Sequence, residues 1–262
     1  MGENVENAIF CIGDMSIFGR MLHKTLGWPL YIDSLVPPVD NVLIIGMYDA
    51  PSYDYTLELT KQAKHRRIYF CGMDVQMLSR PELLPAATYL CETEGIRREL
   101  LKRGVEATIC TFPTTNHLEA TPYPDAPAIA FYQGNNPRRY GESLVRLIAD
   151  TFPEVPILTY GIAGMDEEQL QEVVDRSSVF VSFPETDAAL ASCREYMEAG
   201  RRVVGTLDID YVMTVRRDDP VGIIGKVREA LALTEPDYEA AGFYRAYNSD
   251  ERFIADLTEA IA

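Results

Sequence analysis

The chain has 262 residues, 47% of them apolar and 24% charged, and a net charge of −16. This composition suits a packed core and excludes wholesale disorder, while the acidity opposes general binding to nucleic acid or an anionic membrane. No apolar run is long enough to span a bilayer, no leader is legible, and the five cysteines have no CxxC pairing, so reduced core thiols in a cytoplasmic protein are expected.

In chain order, residues 8–12 (AIFCI) read as a first buried strand. Gly13 and Asp14 follow, then a helix to about residue 26. A glycine straight after the first strand permits a tight turn and close backbone approach, which makes this pair a candidate ligand contact. Strands are expected at 29–32, 42–47 (VLIIGM), 67–71, 87–91 and 107–112, and helices at 53–64 and 93–103. Residues 113–126 (PTTNHLEATPYPDA) form the best linker in the chain. The pattern then restarts, with strands at 128–132, 156–160, 179–181, 203–204 and 211–215, and helices at 140–152, 166–176, 188–199 and 220–233. Residues 238–262 read as two short helices broken near Asn248-Ser249. Strands alternating with helices on both sides of a linker predict an α/β protein. Its two Rossmann-like, doubly wound parallel-sheet domains, 1–122 and 123–262, would face a cleft, with the last helix packing back on the first domain.

The stretch 179–206 (VFVSFPETDAALASCREYMEAGRRVVGT) is the most informative. An apolar strand ends at Pro184, Asp187 stands where a helix N-cap belongs, and Gly200 stops the helix. A helix N-terminus attracts phosphate through its free N–H groups, and Ala188, Ala189 and Ala191 are small enough to let a diphosphate approach. Eight helical residues rise roughly 12 Å, so Asp187 and Glu195 could reach opposite sides of such a ligand. Spacing alone does not separate this from an N-cap Asp and a solvated helix Glu.

This segment resembles the donor-binding signature of retaining GT-B glycosyltransferases of the family-4-like group: an acidic residue, seven residues, then Glu, a Gly and a Val-Val strand. Asp187 takes the first acidic position and Glu195 the second, with Ala188 and Ala189 where glycines are usual. The likeness extends along the chain. Residues 67–75 (RIYFCGMDV) resemble an acceptor-domain strand ending in His-Gly-x-Asp, with Gly72 and Asp74 matching and Cys71 in place of His. Residues 128–141 (AIAFYQGNNPRRYG) resemble the strand and loop that supply a basic pair to the diphosphate, here Arg138 and Arg139. Tyr160-Gly161 fits the turn near the nucleotide base.

The resemblance implies transfer of a hexose from a nucleoside diphosphate sugar such as UDP-glucose to a hydroxyl, with retention. It places the donor on the second domain, against Arg138, Arg139, Tyr160, Gly161, Asp187, Ala189, Leu190, Ala191 and Glu195. Asp74, Gly13 and Asp14 would close the site from the first domain. No cofactor or metal is implied. His23, His65 and His117 stand far apart in sequence, and the competing pair Asp208 and Asp210, which resembles the metal-binding DxD of single-domain enzymes, comes late in the chain. A nucleotide-sugar epimerase and a non-catalytic GT-B binding protein are the alternatives.

The acceptor is read from charge. Residues 1–125 hold 11 Lys and Arg against 16 Asp and Glu, and residues 126–262 hold 13 against 24. The basic groups of the first half fall at Lys61, Lys64, Arg66 and Arg67, expected to close the helix at 53–64, and at Arg97, Arg98, Lys102 and Arg103 on the helix at 93–103. A small or lipid-linked neutral acceptor ranks first, and a polyanion such as a hydroxylated base in DNA second. No stable membrane insertion is expected.

Overall fold

The computed structural model describes residues 6–47, 50–71, 75, 78–84, 87–114, 116–134, 137–161, 167–185 and 190–261. The chain packs as two units, Met1–Pro113 with Asp250–Ala262, and Thr114–Ser249.

The first unit is built on six parallel strands, β1 (Asn7–Cys11), β2 (Leu30–Ile32), β3 (Val39–Ile45), β4 (Ala63–Phe70), β5 (Thr88–Cys91) and β6 (Thr108–Ile109). Their order is β2-β1-β3-β4-β5-β6. The run Val42 to Ile45 is buried throughout, as a strand covered on both faces must be. Helix α1 (Ser16–Leu26) follows β1 and puts Leu22 on one face, with Ile9, Leu43 and Ile45. Helices α2 (Ala50–Leu59) and α3 (Glu94–Lys102) cover the other, through Tyr53, Ile96 and Leu100. The winding therefore reverses between β1 and β3. Such a switch point opens a crevice at the carboxyl ends of the strands. There Gly46, at φ +94°, lets the end of β3 approach the turn after β1: a Cβ would stand 2.7 Å from both Ile12 and Met15.

The second unit repeats the plan with β7 (Ile129–Tyr132), β8 (Ile157–Tyr160), β9 (Val179–Ser182), β10 (Arg202–Gly205) and β11 (Val212–Thr214), all parallel, in the order β11-β10-β9-β7-β8. Helices α4 (Glu142–Thr151) and α7 (Pro220–Leu231) pack on one face through Val145, Ile148, Ile223 and Val227. Helices α5 (Glu167–Asp175), α6 (Leu190–Glu198) and α8 (Tyr238–Tyr247) pack on the other through Val174, Tyr196 and Tyr244. Here the switch point lies between β7 and β9. The tail breaks at Asn248, and α9 (Asp250–Ile261) sinks Phe253 and Leu257 into the core of the first unit.

Two expectations are corrected. The helix expected at 53–64 ends at Leu59, and Lys64, Arg66 and Arg67 lie in β4. Pairing decides this: β4 runs in register with β3 from Val39–Ala63 to Ile45–Tyr69, and Arg66 caps the turn through Thr60. The basic run therefore closes no helix. Next, the packing division falls at Pro113/Thr114, whereas composition put the boundary at 122/123. The intervening residues belong to the second unit because Leu118 is fully buried in its core and Thr121 donates to Asp175 Oδ1 at 2.6 Å. Arg201 completes that anchor. Its side chain is fully buried, and it donates from Nε to Val174 O (3.0 Å), from Nη1 to Thr121 O (2.5 Å) and from Nη2 to Thr121 Oγ1 (2.6 Å).

Candidate functional site

The switch point of the second unit gathers the loops that follow β7 and β9. Gly141, at φ +92°, ends the first loop against the second: a Cβ there would lie 2.6 Å from Phe183 Cβ and 3.0 Å from Phe183 O. Arg138 and Arg139 are exposed on this loop. The backbone N–H of Glu185 donates to Arg139 O at 2.9 Å. Arg217, two residues past the buried Val215, donates to Arg138 O (3.2 Å) and Arg139 O (3.4 Å) and pairs with Glu185 at 3.4 Å. The arginine pair is thus held beside the segment that leads into α6.

Asp187, Ala188 and Ala189 lie outside the described residues, as does Asp74 of the first unit. Leu190 opens α6 and Ala191 is half-buried behind it. Glu195 is 5% exposed, so the solvated-helix reading of this residue is overturned. Its Oε1 accepts from Asn116 Nδ2 at 2.9 Å. Burial is the main cause that pushes the phenols of Tyr132, Tyr160 and Tyr196 up, with the negative charge of Glu195 a lesser contributor to each. Tyr132 and Tyr160 end β7 and β8, and the Glu195 charge is felt at both phenols.

The Tyr160 side chain is a core group. It is buried, stacked on Tyr196 at 6.1 Å and tilted against Tyr132 at 5.4 Å. Gly161 is half-buried against the loop after β7, where an added Cβ would stand 3.6 Å from Gly134 O and 3.8 Å from the Gln133 side chain. In the first unit, Gly13 and Asp14 sit in a single 3-10 turn, Gly13–Met15. The space over Gly13 is taken by the Asp33 carboxylate, 2.8 Å from where a Cβ would be.

A cavity of about 660 Å³ at the carboxyl ends of β9, β10 and β11 is lined by Glu185, Thr206, Asp208, Thr214, Arg216 and Arg217. Asp208 faces it, while the backbone oxygen of Asp210 accepts from Tyr244. Among the described residues no three His, Cys, Asp or Glu stand together as a metal site. A larger hollow of about 880 Å³ against α5 is walled by Glu119, Glu167, Glu168, Glu172 and Asp175, a charge unsuited to a diphosphate. The five cysteines are buried and outside any disulfide, and burial pushes the thiols of Cys91, Cys110 and Cys193 up to about 12, which keeps them protonated and inert. No described helix is long and apolar enough to cross a membrane.

Sequence reasoning missed Arg217, Asn116 and Arg201. Nothing in spacing announces the first two, because each acts on a residue about eighty positions away. Arg201 reads in sequence as a basic residue beside a helix C-terminus. On α3 the charges are met locally: Arg97 forks onto Glu94 at 2.7 and 2.9 Å, and Lys102 pairs with Glu99 at 2.5 Å.

The chain matches no protein-family model and no curated protein. Among solved structures it is similar to a glycosyltransferase from Rickettsia africae ESF-5, at 12% identity and a TM-score of 0.65 over 98% of each chain. It is similar to the lipopolysaccharide outer core galactosyltransferase WaaB, at 11% identity and a TM-score of 0.64 over 97% of this chain and 99% of that one. A third similarity is to TarM, at 12% identity and a TM-score of 0.60 over 84% of this chain. The chain spans 54% of TarM and 59% of the pneumococcal O-GlcNAc transferase GtfA. At these identities the likeness is one of fold, and the fold is GT-B.

Proposed function

We propose that the chain is a GT-B glycosyltransferase that moves a hexose from a nucleoside diphosphate sugar to a hydroxyl acceptor, with retention and without a metal. One observation supports the reading: the helix after β9 carries a buried carboxylate, Glu195, and the loop after β7 an exposed arginine pair, and β7 and β9 are the neighbouring strands between which the winding reverses, where open α/β sheets take their ligands. The solved structures of the same fold support it. GtfA was crystallised with UDP and GlcNAc, and others are described as a galactosyltransferase and a sucrose-phosphate synthase.

The chemistry then divides by charge. As the bond from the sugar C1 to the diphosphate oxygen breaks, negative charge grows on the leaving group. Arg138, Arg139 and the N-terminus of α6 stabilise that charge, and holding the acceptor hydroxyl close supplies the rest. Glu195 accepts the ribose hydroxyls and Asp187 those of the sugar. Gly13 and Asp74 belong to the acceptor side. The ion pairing of Arg97 and Lys102 on their own helix favours a small or lipid-linked neutral acceptor over a polyanion.

A thermal-shift screen with nucleoside diphosphate sugars tests the reading, because a ligand of the native state raises its melting temperature. Absence of any shift, together with no release of nucleoside diphosphate, would sink it, and product analysis separates transfer from epimerisation.

Two outcomes sharpen the assignment. Glu195→Ala is expected to weaken UDP and a UDP-sugar alike, by roughly ten- to a hundredfold, the size of a lost charged hydrogen bond. Asp187→Ala is expected to weaken mainly the intact sugar. Calorimetric titration of both variants with both ligands checks this, and wild-type affinities in Glu195→Ala would remove that residue from the site. Turnover is also expected to survive excess chelator. Complete loss with EDTA, restored by magnesium or manganese, would assign the diphosphate to a cation at Asp208 and Asp210 instead.

A further inference from the structure

We infer that Arg217 is a positioning residue for the diphosphate loop, acting through the backbone of Arg138 and Arg139. The inference rests on the function proposed above and adds a residue that no motif marks. Arg217 follows β11, the edge strand, and its base is fixed by Val215, which is buried and whose N–H donates to Gly205 O at 2.9 Å. From there one planar guanidinium meets three groups. Nη2 donates to Arg138 O at 3.2 Å, Nη1 donates to Arg139 O at 3.4 Å, and Nη2 lies 3.4 Å from Glu185 Oε1.

The arrangement does two things. The two carbonyls fix the loop at the residues whose side chains are to meet the diphosphate, so fewer backbone states must be lost when it binds. The ion pair also offsets the charge of Glu185, a carboxylate whose backbone N–H is bonded to Arg139 O and which would otherwise repel an anion held by the arginine pair. Both effects need the fork of an arginine. A lysine ammonium keeps the charge as a point and cannot offer the same planar pair of donors to two carbonyls.

The test is a double-mutant cycle on the full chain, read as UDP affinity by calorimetry, with UMP as the ligand lacking the second phosphate. Arg217→Gln is expected to weaken UDP by about tenfold and UMP by no more than about twofold. Arg217→Lys, which preserves charge and guards against a folding defect, is expected to fall between. In the Arg138→Ala/Arg139→Ala background, Arg217→Gln is expected to add little, since residues that act through one another are not additive. Additive losses would mean Arg217 acts on its own account, and equal losses of UMP and UDP with a lowered melting temperature would mean it only holds the fold. Either result overturns the inference. Glu195→Ala keeps the two levels apart. If UDP binding depends on Glu195 but not on Arg217, the inference alone fails. If wild type binds no UDP, or Glu195→Ala binds it equally well, the donor site itself is wrong and the inference falls with it.

Discussion

Arg201→Ala is expected to destabilise the second unit by about 3–5 kcal/mol, the range for breaking a buried charged network, and to lower the melting temperature by roughly 10 °C. The side chain is fully buried, and it is the donor to Val174 O, Thr121 O, Ala199 O and Pro122 O. Its removal leaves the carbonyls of Val174 and Ala199 buried without their donor, at about 1–3 kcal/mol for each group left unmade. Tyr123 stacks over the guanidinium at 5.3 Å, and Asp175 lies 3.8 Å away. Burial nudges the Arg201 pKa down, but a guanidinium stays charged at any working pH. Because most partners are backbone carbonyls, an apolar isostere offers them nothing. Arg201→Met is therefore expected to be destabilised nearly as much as Arg201→Ala. Scanning calorimetry of both variants checks this, and a methionine variant as stable as wild type would show that the hydrogen bonds contribute nothing net.

That result bears on what a sequence can say. The buried strand Val42–Ile45, the restart at residue 128 and the break at Asn248 were legible, because each is a local pattern: a β-branched run, a strand after a Pro-rich stretch, or a helix interrupted by Asn-Ser. Arg201 was not. Beside Gly200 it looks like a solvated dipole partner, and only the return of residues 118–123 across the unit buries it. The same limit explains β4. Lys64 to Arg67 is a poor strand by composition, and the ladder to β3 overrides propensity. At the candidate site, the order of strand, loop and helix could be read from sequence. The burial of Glu195, its link to Asn116 and the clasp of Arg217 required the fold.

Arg138→Ala/Arg139→Ala is expected to lower turnover of a UDP-sugar by about a hundred- to a thousandfold, the range for removing preorganised donors from developing charge. Both side chains are exposed and contribute nothing to either core, so the melting temperature of the variant is expected to match wild type. That separation makes the measurement decisive, because a loss of rate without a loss of fold belongs to the chemistry. The two arginines should act more on the rate than on donor affinity, since the diphosphate carries more charge as it leaves than while bonded to sugar. Release of UDP, followed with a small glycoside or with water as acceptor, gives kcat, and UDP-sugar titration gives the affinity. Salt provides a second check. Exposed guanidiniums are screened over about 8–10 Å at physiological ionic strength, so wild type should lose rate as salt rises and the double variant should lose much less. A double variant within about threefold of wild type, with unchanged salt dependence, would leave the α6 N-terminus to carry the leaving diphosphate and would remove the loop after β7 from the mechanism.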